Sequence, residues 1–135
     1  MKFMKKALVA AAFATAALSA SAQEQFFPAL SYRVGPYAAG GTGFFGGVID
    51  YLSLINAQGG INGVKMTWEE CETEYNATRG VECYERLKKS RGGATMVEPL
   101  STGIAYGLLD RVAQDKIPMT TLGYGRSDAA DGRVF

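Results

Sequence analysis

Strand and helix patterns alternate along this sequence, and that alternation restricts the fold more than any other feature. Four short apolar runs have strand composition, at residues 27–34, 64–70, 94–97 and 117–122. Between them, apolar residues recur at three- and four-residue spacing in residues 44–58, 77–90 and 104–115. The order β-α-β-α-β-α-β predicts parallel strands joined by right-handed crossovers. We therefore expect an α/β fold: an open parallel sheet with helices on both faces.

Local chemistry predicts several of the helix ends. Asn76 is a good N-cap for the second helix, and Ser101 or Thr102 can cap the third. Gly59 and Gly60 predict the end of the first helix, because glycine accepts the left-handed backbone of a C-cap. The glycine-rich stretch at residues 35–43 is predicted to be a loop.

The first 22 residues have the three parts of a secretory signal peptide. Three lysines form a positive start, residues 7–18 are small or apolar, and Ala20-Ser21-Ala22 matches the cleavage pattern. The apolar run is too short to span about 30 Å of hydrocarbon. We predict a cleaved leader at residues 1–22 and a mature domain at residues 23–135. No later segment is predicted to span a membrane, so we expect no stable membrane insertion after cleavage.

The chain has two cysteines, Cys71 and Cys83. Export into an oxidising compartment favours a disulfide between them. The alternative, two free thiols with one of them buried, stays open at this stage.

Composition excludes several classes of function. The chain has no histidine, so a Ser-His-Asp triad, a Cys-His pair and a His-ligated metal are excluded. A net charge of +1 argues against a nucleic-acid partner, which needs a basic patch. Residues 41–46 fit G-x-G-x-x-G but lie too far from the first strand to indicate a dinucleotide site. The acidic residues at 69–72 do not converge and are predicted to be solvated, so we expect no catalytic residues, cofactor or metal.

Polar and aromatic residues follow three of the predicted strands, at residues 32–37, 99–103 and 123–126. Ligands of open α/β sheets bind outside the carboxyl ends of the strands. Ser101 and Thr102 lie where a helix begins, and the N–H groups there attract a carboxylate. The alternative is that one of the two hydroxyls simply caps the helix, and both roles can coexist.

Three segments resemble a known family: Gly35-Pro36-Tyr37, the helix end and turn at residues 55–64, and Pro99-Leu100-Ser101-Thr102-Gly103. They resemble the N-terminal lobe of the type I periplasmic substrate-binding proteins of ABC transporters, in the branched-chain amino-acid, leucine-binding-like group. The resemblance covers residues 23–135 but only part of a family member, because such proteins have two lobes. It therefore implies an incomplete N-terminal lobe, with the second lobe absent.

The resemblance also implies a function and a site. It implies a periplasmic, non-enzymatic protein that captures an amino acid or related small carboxylate between two closing lobes and delivers it to an ABC permease. Its ligand-binding residues would be Leu100, Ser101 and Thr102, then Gly123, Tyr124 and Gly125, with Tyr37 covering the ligand. Two alternatives remain: the ligand-sensing domain of an exported receptor, and an exported α/β enzyme with catalytic residues beyond Phe135.

Overall fold

A computed structural model describes residues 24–121. Its elements, in chain order, are β1 (Gln25–Ser31), α1 (Ala38–Ala57), β2 (Met66–Glu72), α2 (Ala77–Leu87), a short 3-10 turn (Ser90–Gly92) and α3 (Thr102–Asp115). Strands and helices alternate as predicted.

The sheet is parallel and its order places β1 in the middle. β1 pairs with β2 in parallel, with Gln25 opposite Met66. On the other side of β1, Ala94 forms a parallel bridge to Phe26, and Val97 forms another to Met119. The lateral order is therefore β2, β1, the segment at residues 94–97, and the segment around Met119.

Strand bounds differ from the sequence prediction for identifiable reasons. The runs at 94–97 and 117–122 form single bridges instead of continuous strands over the part that is described, and Pro118 contributes no N–H to a ladder. β1 ends at Ser31 because the N–H of Arg33 bonds a carboxylate of β2, Glu72 Oε2, at 2.7 Å. β2 begins two residues late because Val64 is used in a turn with Ile61.

Helices cover both faces of the sheet, as predicted. Phe26 and Leu30 of β1 are 1% exposed and belong to one core with residues of α2 and α3, namely Tyr84, Leu87, Ile104, Leu108 and Val112. The alternate residues Phe27 and Ala29 point to the opposite face. There, they line an apolar groove of about 220 Å³ with α1 side chains such as Phe44 and Val48.

The glycine-rich stretch is helical, so the loop predicted through residue 43 is wrong from Ala38 onward. A Cβ at Gly41 would lie 2.0 Å from the carbonyl oxygen of Tyr32, so only glycine lets the helix approach β1 so closely. Tertiary packing overrides the poor helix propensity of glycine here.

Helix α1 also corrects the expectation that nothing after the leader could span a membrane. By length and composition alone, its 20 residues meet that criterion, and it is the one such helix in residues 24–121. In this fold it packs on the sheet through Gly41 and Phe45, while Tyr51 is 62% exposed.

Asn56, near the end of α1, closes the outer edge of β2. Its Nδ2 donates to the Met66 carbonyl at 2.6 Å, and its Oδ1 accepts from the Met66 N–H at 2.8 Å. Among residues 24–121, no strand pairs with this edge of β2, and one carboxamide takes the place of a neighbouring strand at Met66.

Candidate functional site at the carboxyl edge of the sheet

The strand order creates a switch point beside β1. The chain leaves β1 toward β2 on one side, and the later segments add on the other side. In open α/β sheets, ligands bind at such a point, outside the carboxyl ends of the strands. The loop after β1 carries Tyr37, and the loop after residue 97 leads through Ser101 into Thr102, the first residue of α3, so these predicted residues lie on the same edge.

Ser101 is the N-cap of α3. Its Oγ accepts a 3.4 Å hydrogen bond from the N–H of Ile104, and its carbonyl accepts one from Ala105 at 2.8 Å. Ser101 is only 2% exposed. Ser101 therefore caps α3, which is one of the two roles that the sequence left open for it.

Thr102 and Gly103 open the helix at this edge. Thr102 is the first residue of α3 and is partly exposed, and Gly103 is exposed. The N–H groups of a first helical turn have no intrahelical acceptor, and they favour an anion. Leu100 is 8% exposed and lines the apolar groove beneath α1.

The start of α2 lies beside the start of α3. The two helices pack tightly, since a Cβ at Gly80 would come within 2.6 Å of Ile104. At their N-terminal ends, a Cβ on Gly103 would be 3.9 Å from that of Ala77. Asn76 caps α2 through a 3.0 Å bond from the N–H of Arg79, as predicted. Two helix N-termini therefore open side by side toward the same edge.

Aromatic rings form a cluster next to these helix ends. The ring centroids of Tyr37 and Tyr75 are 4.2 Å apart with planes 33° from parallel. Tyr32 meets Tyr75 edge-on at 5.0 Å and Phe45 edge-on at 5.3 Å. Tyr37 is 56% exposed, so its ring forms the outer surface of the cluster. Sequence reasoning missed Tyr75, although its place between a strand end and the Asn76 cap was a usable signal.

The acidic residues of β2 are engaged, so the prediction that they are solvated is wrong for Glu70 and Glu72. The guanidinium of Arg33 donates to both oxygens of Glu70, at 2.7 and 3.0 Å, and its Nη1 donates to the Thr42 carbonyl at 3.1 Å. The hydrogen bond to Glu70 raises the pKa of Arg33. This network ties the start of α1 to β2, and no metal-binding group of three is found across residues 24–121.

The loop between β2 and α2 is held at both ends. A disulfide joins Cys71 and Cys83, whose Cα atoms are 5.7 Å apart. Thr73, which is fully buried, donates its hydroxyl to the Ser31 carbonyl at 2.8 Å. The loop is thereby fixed to β1 and to α2.

Three predicted ligand residues, Gly123, Tyr124 and Gly125, lie outside the described residues, as does the predicted leader at 1–22. Their roles stay predictions.

Residues 24–135 match the family described as periplasmic binding protein. No curated protein matches the chain at a significant level. Among solved structures, the chain is similar to a protein from the Pseudomonas fluorescens group described as an ABC transporter permease. The two are 50% identical with a TM-score of 0.75, over 83% of this chain and 28% of that one.

Two more distant structures share the fold. One is described as a possible leucine/isoleucine/valine-binding protein from Rhodopirellula baltica SH 1 (19% identity, TM-score 0.64, 73% of this chain and 27% of that one). The other is described as a fatty acid ABC transporter substrate-binding protein from Thermomonospora curvata (17% identity, TM-score 0.66, 74% of this chain and 25% of that one). The chain thus spans between a quarter and a third of these structures.

Proposed function

Because the chain belongs to the family of periplasmic binding proteins, we propose that it is the solute-binding component of an ABC transporter. It captures an amino acid or related small carboxylate outside the cytoplasm and delivers it unchanged to a membrane permease. Residues 1–22 direct its export. Residues 23–135 form one wall of the binding cleft, and a second lobe supplies the other wall.

The observation that carries the carboxylate assignment is the pair of helix N-termini at the switch point. The N–H groups of Thr102 and Gly103 open α3 beside the start of α2. Aligned peptide dipoles make such an end a site for negative charge. Arg33, a nearby cation in the loop after β1, is already paired with Glu70, so the N–H groups at the helix ends are the better hydrogen-bond donors to a small anion.

One wall makes only part of the ligand's contacts. Association has a large entropic cost that half the contacts do not offset. We therefore expect tight binding by the full-length polypeptide and weak or no binding by residues 23–135 alone. Micromolar or tighter binding of an amino acid by that fragment would contradict the two-wall mechanism.

The first experiment is calorimetric titration of the full-length protein, purified from its native host and freed of bound ligand. The titrants are the twenty amino acids and a set of small aliphatic and aromatic carboxylates. The proposal expects micromolar or tighter binding of at least one titrant, which is then recovered chemically unchanged. If no titrant binds, the carboxylate assignment is wrong; if one is converted, the protein is an enzyme.

Thr102→Val tests the anion site without changing side-chain volume. If the hydroxyl donates to a carboxylate, its loss costs about 1.5–3 kcal/mol, which is roughly a ten- to hundred-fold weaker Kd. Thr95→Val is the matched control, because Thr95 bonds Gln25 at the opposite edge of the sheet. Equal affinities for the two variants would remove Thr102 from the site.

Ser101 requires a variant that separates capping from ligand contact. Ser101→Ala removes both and should also cost about 1 kcal/mol of stability as a lost cap. Ser101→Gly keeps most of the capping preference while it removes the hydroxyl. A Ser101→Gly protein of near-normal stability and weakened binding would support direct contact; normal binding would limit Ser101 to capping.

A further inference from the structure

Tyr75 lies between the two parts of the candidate site. Its ring stacks on that of Tyr37, with centroids 4.2 Å apart. Two residues further along the chain, Ala77 meets Gly103 at the opening of α3. Tyr75 therefore connects the exposed ring over the cleft with the helix ends that favour a carboxylate.

The backbone at this position is unusual. Glu74 and Tyr75 are consecutive non-glycine residues with positive φ, at 51° and 60°. L-residues disfavour this region, and such conformations persist only where the surroundings impose them. Glycine or asparagine would adopt it more easily, so the tyrosine is not explained by the turn itself.

Several bonds impose that conformation. The N–H of Tyr75 donates to Thr73 Oγ1 at 3.2 Å, and that of Glu74 donates to Glu72 Oε1 at 2.7 Å. The N–H of Asn76 donates to the Thr73 carbonyl at 2.9 Å. In addition, the ring of Tyr32 packs edge-on against the ring of Tyr75. The loop is held so that this ring lies against Tyr37.

We propose that Tyr75 is a positioning residue: it fixes the ring of Tyr37 as an aromatic shelf beside the carboxylate site, and this shelf selects ligands with a planar ring. The inference rests on the proposed function and narrows its ligand class to aromatic carboxylates. The mostly exposed Tyr37 ring stacks on the flat group of the ligand, and the helix ends bind its carboxylate.

Saturated and aromatic ligands of the same size test the shelf. Benzoate and cyclohexanecarboxylate each have a carboxylate and a six-membered ring, and so do the amino acids L-phenylalanine and L-cyclohexylalanine. Titrated into the full-length protein, the aromatic member of at least one pair should bind about two- to ten-fold more tightly, as expected for a ring stacking pair.

Substitutions assign that preference to Tyr75. Tyr75→Phe keeps the ring and should keep the preference. Tyr75→Leu keeps an apolar side chain and the backbone penalty but loses the ring, so the two members of each pair should bind with about equal affinity. Tyr51→Leu is the matched control, since Tyr51 is 62% exposed on α1. A ratio of affinities is measured, so a general loss of stability does not imitate the result.

Three results would overturn the inference. They are binding of none of the four probes, equal binding within both pairs by the wild-type protein, and an aromatic preference that survives Tyr75→Leu. The proposed function is judged separately: if an aliphatic amino acid binds without any aromatic preference, solute binding stands and the shelf is wrong. If nothing in the wider panel binds, the shelf and the carboxylate assignment are both wrong.

Discussion

Replacing Asn56 with alanine tests how the edge of the sheet is held. The carboxamide of Asn56 makes two hydrogen bonds, of 2.6 and 2.8 Å, to the main chain of Met66, which is 5% exposed. Truncation leaves a donor and an acceptor of β2 without their partner. Each net hydrogen bond contributes about 1 kcal/mol, and an unsatisfied buried group costs about 1–3 kcal/mol.

The expected loss follows from that geometry. Water reaches the outer edge of β2 in part, which places the cost near the lower end, and alanine regains about 0.5 kcal/mol of helix propensity. We expect the free energy of unfolding to fall by about 2 kcal/mol, which for a domain of this size lowers Tm by about 10 °C. Urea denaturation followed by circular dichroism measures it, with an unchanged m-value showing that two-state unfolding is preserved.

Gln58→Ala is the matched control. It removes a carboxamide two residues further on, where Gln58 is exposed and its side chain makes no hydrogen bond to another described residue. We expect a change within about 0.5 kcal/mol. If Asn56→Ala costs no more than Gln58→Ala, the argument that Asn56 closes the β2 edge is refuted.

Two further predictions concern packing and pH. Gly41→Ala should destabilise the fold by more than about 2 kcal/mol, because its Cβ would lie 2.0 Å from the carbonyl oxygen of Tyr32. Gly40→Ala, whose Cβ would have nothing within 4 Å, should stabilise the fold slightly. Thermal unfolding compares the two variants, and equal Tm values would contradict the close approach of α1 at Gly41. Hydrogen bonds, first from Lys88 and then from Tyr84, lower the pKa of Asp115. The ionised carboxylate of Asp115 therefore stabilises the fold above its unfolded-state pKa, and this stabilisation is lost as pH falls through its folded-state pKa. Asp115→Asn should therefore be less stable than wild type at pH 7 and converge with it at acidic pH in urea denaturation, and a constant difference down to pH 2 would contradict this.

Features that depend on neighbours in sequence were predictable. The alternation of elements, the caps at Asn76 and Ser101, and the buried stripe of α3 follow from residues within four positions of one another. The carboxyl edge was therefore found as the candidate site, with Ser101 and Thr102 at the start of a helix.

Features that depend on distant residues were not predictable. Arg33 meets Glu70 across 37 positions, and Thr73 meets Ser31 across 42. Neither pair leaves a periodic signal, so the acidic run of β2 was predicted to be solvated. The position of Tyr75 before the Asn76 cap was visible in the sequence, but its contact with the Tyr37 ring, 38 residues away, was not.

The sequence by itself determined the α/β class, the parallel order of elements and the loops that carry the candidate site, because apolar periodicity and caps act over one or two turns. Only the tertiary structure decided that the glycine-rich segment is helical, since the cost of its glycines is offset by packing of α1 against β1 at Gly41. It also decided that Ser101 is buried as a cap and that the Tyr37 ring rests on Tyr75. Those outcomes depend on which surfaces meet, and that is set by the whole fold.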